Sequence, residues 1–368
     1  MWQLVRDLRT YRRAWLPGDI AAAVTVWAIV VPESVAYAGI AGVPPEIGLY
    51  VATVPLIVYA LIGSSRRMTV GPSATGAAVS AAAIAPLAAD AESFVELTVA
   101  LTITVGVVLA LAAVAKLGIL AEFLSEPVLK GFITGVAITI AGGQLSKVLG
   151  VEAEGEGFIA EMVDLGRHVP DAHGTTIVVG IACLVALVLL ERILPKLPSA
   201  LVVVIAAIAT ARWFDLEERG VELVGEIEAG LPMPGLPDVS WGDVLSLIPG
   251  ALGVAIVVFG ESMALAKSFG ARHGERIDAD AELGALGGAN VVGGLFGGFA
   301  GIGSNSRTAA ADSAGQKTQL ASIMTGGLLL LTMLFLTQQF EDLPEAALGA
   351  IIIHAVIGLI RFRPLARL

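Results

Sequence analysis

The chain is nearly without cysteine: Cys183, inside an apolar run, is alone among 368 residues. A single thiol excludes an internal disulfide and any CxxC metal or redox motif, and it reads as a small buried packing residue. Histidine is almost as scarce, and His168, His173, His273 and His354 are scattered without an HExxH pair. There is no GxSxG nucleophile elbow, no phosphate-binding P-loop and no GxGD intramembrane protease signature. An enzyme is therefore not expected, nor a cofactor, a metal or a nucleic-acid partner. Charged residues are the largest deficit, at 15% against 56% hydrophobic, with a mean hydropathy of +0.84. A soluble protein of this size needs more polar surface, so the chain reads as a polytopic membrane protein surrounded by the lipid bilayer.

The few charges are sorted along the chain, so the net charge of −11 does not describe one acidic surface. Spans of roughly 20 apolar residues fit about twelve segments: 18–39, 44–63, 71–89, 95–115, 124–149, 173–194, 197–214, 244–266, 282–299, 304–316, 318–337 and 344–361. Arg6, Arg9, Arg12 and Arg13 precede the first, which places the N-terminus in the cytoplasm by the positive-inside rule. Counted alternately, the inner connections hold Arg66 and Arg67, Lys116 and Lys130, Arg192 and Lys196, Lys267, Arg272 and Arg276, Lys317, then Arg361, Arg363 and Arg367. The outer loops hold only Arg167 and Arg219 as cations and collect the acids, among them Glu152, Glu154, Glu156, Glu217, Glu218, Glu226, Glu228, Glu341 and Asp342. The alternation never slips, so both termini are expected on the cytoplasmic side of a plasma (inner) membrane. The acidic connections 151–171 and 215–243 read as solvated loops.

Two spans are short or broken. The stretch 283–314 is apolar enough for membrane depth, yet its glycines interrupt the helix and Ser304, Asn305, Ser306, Arg307 and Thr308 follow where lipid forbids them. Irregular polar backbone is tolerated in a bilayer only inside protein or beside a water-filled cavity. A helix starting at these serines points its first amides and Arg307 into one small volume, the outline of an anion site. The third span opens comparably at Met68-Thr69-Val70-Gly71-Pro72-Ser73, where proline suits a first helical turn. Interrupted spans in corresponding positions of two halves point to a transporter's site. The halves align directly: Ala28-Ile29-Val30-Val31-Pro32-Glu33-Ser34 in the first span reads against Ala255-Ile256-Val257-Val258-Phe259-Gly260-Glu261-Ser262 in the eighth, with one extra residue. A repeat of seven spans, an odd number, makes the second copy inverted.

The expected organisation is thus a cytoplasmic segment 1–17, a first inverted repeat 18–214, an acidic extracytoplasmic loop 215–243, and an incomplete second repeat 244–368. Glu33 and Glu261 lie in apolar spans, where a charge costs from about 2.5 to well over 10 kcal/mol by different measures. They are candidates for proton or cation coupling. In the competing structural reading, Glu33 bonds backbone freed by Pro32, Glu261 sits near a helix end, Arg307 pairs with Glu261 or Asp312, and Ser73, Thr75, Ser304 and Ser306 cap their own backbone. The glycines from Gly284 to Gly303 serve equally well for close helix packing.

At these residues the chain resembles the sulfate permease (SulP) family. The resemblance is carried by Pro32-Glu33-Ser34-Val35-Ala36-Tyr37-Ala38, Gly42-Val43-Pro44-Pro45, Val70-Gly71-Pro72, Gly131-Phe132, Glu261-Ser262, Asn290-Val291-Val292-Gly293-Gly294 and Ser306-Arg307-Thr308-Ala309, and it runs over essentially the whole chain. It implies an all-α polytopic membrane fold of fourteen segments in two inverted repeats of seven, divided into core and gate and usually followed by a cytoplasmic STAS domain. About twelve of the fourteen segments are expected here, without the last two helices and without a STAS domain. The implied anion site lies between the facing ends of helices three and ten, with amides around Ser73, Ala74 and Thr75 and around Ser304, Asn305 and Ser306, positive field from Arg307, and a wall near Glu33 and Tyr37. The family's coupling acid in the eighth helix matches Glu261, for a proton or sodium, and a homodimer is implied. Glu33 stands where glutamine is more usual. The expectation is a secondary active transporter of a small inorganic anion, sulfate first, proton-coupled. The competitors are a nucleobase permease of the same fold, a passive anion channel, and a truncated membrane fragment.

Overall fold

The computed structural model describes residues 10–122, 126–151, 158–194, 197–227 and 230–357, without the side chains of 120–130, 132 and 133. Arg6, Arg9, Glu152, Glu154, Glu156, Lys196, Glu228, Arg361, Arg363 and Arg367, and the side chains of Lys130 and Phe132, lie outside the described residues. In chain order the helices and strands are α1 (Leu16–Ala41), α2 (Pro45–Ile62), β1 (Val70–Gly71), α3 (Ala74–Ile84), α4 (Ala91–Val114), α5 (Glu126–Leu149), α6 (Phe158–His168), α7 (Gly174–Ile193) and α8 (Ser199–Phe214). Then come α9 (Trp241–His273), α10 (Ala279–Leu295), β2 (Ile302–Gly303), α11 (Asn305–Ser313), α12 (Leu320–Phe335) and α13 (Glu345–Ile357). Among the described residues, five helical stretches, Arg13–Ala41, Pro45–Ile62, Ala91–Val114, Gly174–Ile193 and Trp241–His273, are long and apolar enough to cross a membrane.

The chain folds into two compact units, each taking sequence from both halves: Met1–Leu129 with Gly230–Leu334, and Lys130–Ala229 with Phe335–Leu368. In the first unit α4 and α10 pack at backbone distance. A Cβ on Gly106 would lie 2.5 Å from the Val291 amide nitrogen, and one on Gly287 2.7 Å from that of Ala110. In a bilayer this is what binds helices, because an apolar side chain gains little by leaving lipid and cohesion comes from close van der Waals approach. Leu101, Val105, Leu247, Val258, Met263 and Leu286 fill the spaces around this seam. Polar clasps close the ends. Asp19, fully buried on α1, accepts from the amides of Lys317 at 2.7 Å and Thr318 at 3.1 Å. Glu282, fully buried on α10, accepts from the Tyr59 hydroxyl at 2.6 Å and the Ser64 amide at 3.3 Å.

In the second unit α7 and α13 pack together, and α5 meets α7 through Gly180, where a Cβ would lie 2.8 Å from Val148. Its loops are joined by Val224 N–H donating to Leu343 O at 2.9 Å and by an Arg212–Asp342 ion pair at 2.5 Å. Cys183 is buried and free. The connection 151–171, expected as a solvated loop, contains α6. Its Phe158, Met162 and Leu165, spaced four and three residues apart, form an apolar stripe, with Leu165 buried. The sequence reading missed it because the stripe spans only about two turns between acidic residues.

Candidate functional site

The two broken spans meet in the first unit. β1 and β2, two residues each, pair antiparallel with Val70 opposite Gly303 and Gly71 opposite Ile302. Because the strands run in opposite directions and each is followed at once by a helix, α3 and α11 start at this ribbon and run away from it, N-terminus toward N-terminus. Both are far too short to cross a bilayer, at 11 and 9 residues. A serine caps each: Ser73 Oγ accepts from the Gly76 amide at 3.0 Å, and Ser304 Oγ from the Arg307 amide at 3.5 Å. The amides of Ala74, Thr75, Asn305 and Ser306 belong to first turns and have no protein acceptor among the described residues. Two partial positive ends therefore face the ribbon.

Arg307 is the charged centre of this arrangement. It is only 1% exposed. Its Nη1 donates to Glu33 Oε2 at 3.1 Å, and its Nη2 to the Pro72 carbonyl at 2.7 Å. One side chain thus ties α11 to α1 and to the entry of α3. The pairing with Glu33 corrects the expectation that Arg307 as a structural residue would pair with Glu261 or Asp312. Pro72 is also displaced from its expected place in the first turn of the third span: it precedes the cap Ser73, and its carbonyl serves as an acceptor. Tyr37, one turn after Glu33 and 6% exposed, feels the charges of both Glu33 and Arg307. Across the ribbon, Glu261 on α9 has the Thr75 side chain as its hydrogen-bonding partner. Ser304 is buried, whereas Asn305 and Ser306 are exposed, with the Ser306 hydroxyl 3.2 Å from that of Ser304.

Several residues that frame the ribbon were not singled out as site residues from sequence. Asn290 on α10 donates to Gly301 O at 3.1 Å and accepts from Gly301 N–H at 2.8 Å, pairing with the approach to β2 as a strand neighbour would. Ser262 Oγ accepts from the Gly303 amide at 2.9 Å, and Thr308 Oγ1 from the Thr69 amide at 3.1 Å. The sequence signs of these roles were an asparagine and a serine within apolar spans and a threonine at the end of the polar 304–308 cluster.

Two half-helices that meet end to end inside a packed helical unit are the arrangement in which membrane transporters of inverted-repeat type place a substrate site. The match to known folds is close. The murine Solute Carrier 26 family member A9 anion transporter, inward-facing, superposes with a TM-score of 0.91 at 23% identity, covering 100% of this chain and 65% of that one. The transmembrane domain of the cyanobacterium bicarbonate transporter BicA superposes with a TM-score of 0.87 at 22% identity, covering 96% and 92%. The fold is accordingly the inverted-repeat, seven-plus-seven type of those transporters. Residues 16–368 match the model of the Sulfate permease family, and the chain belongs to that family. Among curated relatives, a probable sulfate transporter of Mycobacterium tuberculosis is 40% identical over 367 residues, 99% of this chain and 66% of the relative. The chloroplastic sulfate transporter 4.1 of Arabidopsis thaliana is 32% identical over 366 residues, 97% of this chain and 53% of the relative. The chain thus spans between about half and two-thirds of the length of these relatives.

Proposed function

We propose that this chain forms the translocation unit of a secondary active transporter for a small inorganic anion, sulfate first, coupled to protons. The observation that carries the reading is the pair of serine-capped half-helices that start at one ribbon, each with two partnerless first-turn amides among the described residues, together with the buried Arg307, whose side chain reaches the carbonyl of Pro72 at the entry of α3. An anion bridging Ala74 and Thr75 on one side and Asn305 and Ser306 on the other completes hydrogen bonds that the fold leaves open, beside an arginine whose planar fork suits an oxyanion. Ser73 and Ser304 set the two helix starts, and Tyr37 closes one wall. Sulfate is favoured over other anions because the Mycobacterium and Arabidopsis relatives carry that name.

Glu33 supplies the coupling step. Its carboxylate takes the Nη1 arm of Arg307, the other arm being held by the Pro72 carbonyl, so anion binding is favoured when Glu33 takes a proton and releases that arm. Glu261, facing Thr75 at the other half-helix, gives a second protonation site. Coupling answers an energetic need: moving a dianion inward against 100 mV costs about 4.6 kcal/mol, roughly 2.3 kcal/mol per charge, and two cotransported protons offset it. The protein works in the plasma (inner) membrane with both termini in the cytoplasm, as a homodimer.

The test is radiolabelled sulfate uptake into proteoliposomes with and without an inward proton gradient. Uptake accelerated by the gradient supports the reading. Equal uptake in both conditions makes the protein a passive anion pathway, and no uptake removes sulfate as the substrate.

A further inference from the structure

At the end of α11 away from Ser304, a second polar cluster holds the same two chain segments together. Arg67, which leads into β1, donates through Nη1 to Asp312 Oδ1 at 2.7 Å and to the Gln316 carbonyl at 2.8 Å. Its Nε lies 3.7 Å from Glu275 Oε1. His273, the last residue of α9, brings Nε2 to 2.9 Å from the same Asp312 oxygen. Nearer the ribbon, the Ser304 amide donates to the Thr69 carbonyl at 2.9 Å, and Thr69 and Thr308 are joined through their hydroxyls at 3.2 Å. The segment from Arg67 to Val70 therefore runs along α11, pairing with Gly303 in the ribbon and touching residues 304, 308 and 312 at one-turn intervals. Gln319 holds the bend before it, donating to the carbonyls of Ser65 and Met68 at 2.9 Å each.

Asp312 stands in the last turn of its helix, at the negative end of the dipole, where a carboxylate does not favour the helix itself. A helix of nine residues also has little stability of its own, so tertiary contacts set its direction. The ribbon fixes one end of α11; at the other, Ala311 packs with Ala22 and Val26 of α1 and Asp19 holds the amides of Lys317 and Thr318, and the Arg67–Asp312 pair is the contact there that ties the helix to the segment entering α3.

We propose that Arg67 and Asp312 are positioning residues for the anion site. The pair fixes the axis of α11 against the entry of α3, so that the amides of Ala74 and Thr75 and those of Asn305 and Ser306 keep one separation. This rests on the anion reading above.

The test uses the full chain in lipid nanodiscs with Arg67→Gln, Asp312→Asn and the double variant, read by equilibrium binding of labelled sulfate and by backbone hydrogen exchange. Each single change lowers sulfate affinity by about tenfold, the scale of one charged hydrogen bond, and the double change is no worse than the poorer single one because both remove the same contact. Exchange quickens at 304–308 and 70–76 while α4 and α10 stay protected. Arg67→Lys, which keeps charge but loses the fork, recovers part of the affinity. The proposal is overturned by faster exchange across the whole unit with unaltered affinity, by additive losses, or by unchanged exchange at 304–308. Should the unmodified protein fail to bind sulfate, the anion reading fails by itself, and exchange at 304–308 still decides the role of the pair.

Discussion

Glu33 and Glu261 occupy aligned places in the two repeats, yet they meet opposite kinds of partner. Each acid reaches the half-helix of the other repeat: Glu33 contacts Arg307 of α11, and Glu261 faces Thr75 of α3. The first contact joins full charges inside protein, and the second offers only a hydroxyl dipole. An inverted repeat thus supplies two equivalent scaffolds, and a single arginine, present in one copy and absent from the other, makes their chemistry unequal. On the reading proposed here, the Glu33 side senses the cargo and the Glu261 side carries a proton without competing for it.

The severest way to break this comparison is Arg307→Gln. It leaves a buried carboxylate without its cation, a loss of about 3–5 kcal/mol, and sulfate uptake should fall to background. The double variant Glu33→Gln with Arg307→Gln should recover most of the thermal stability in detergent and none of the uptake; recovery of both would remove Arg307 from the site. Next in size is Glu33→Gln alone. Uptake should persist while its pH profile flattens, and an unchanged profile would show that Glu33 does not couple. Glu261→Gln should keep downhill sulfate exchange and lose acceleration by the proton gradient, so gradient-driven uptake at the normal rate counts against its assignment. Thr75→Val, which removes only the hydroxyl partner, should have a smaller effect of about 1 kcal/mol, seen as a shifted pH midpoint for uptake. Smallest is Ser304→Ala, a lost helix cap of about 1 kcal/mol, expected to weaken sulfate binding a few-fold with uptake otherwise intact.

Much of this was legible before any coordinates. The short third and tenth spans, their serine caps and the burial of Glu33 follow from local rules, because apolar runs, capping residues and glycine breaks act over a turn or two of chain. What was not legible depends on crossings between distant segments. The partner of Arg307 in a structural role was expected to be Glu261 or Asp312, but the pair with Glu33 closes over 274 residues of sequence. A ribbon of two residues per strand is too short to leave an alternating pattern. Pro72 looked like a first-turn proline, and its carbonyl acquires a role only when Arg307 arrives from the other repeat. The glycines of 283–314 were read equally as site or packing; Gly287 and Gly294 lie against α4, while Gly301 and Gly303 belong to the ribbon's bonds.

Asn290 gives this architecture a chemical age. Its side chain both gives to and takes from Gly301, and it also donates to the Leu286 carbonyl at 2.9 Å. Hydrolysis of that one amide, the slow deamidation that old proteins undergo, would exchange a nitrogen for an oxygen. A carboxylate would then face two carbonyls with no hydrogen to share. Its place within the regular backbone of α10, followed by the branched Val291, opposes the ring closure through which deamidation proceeds. The residue best suited to bracing the crossing is thus also the one that time could spoil, and the helix around it acts as its preservative.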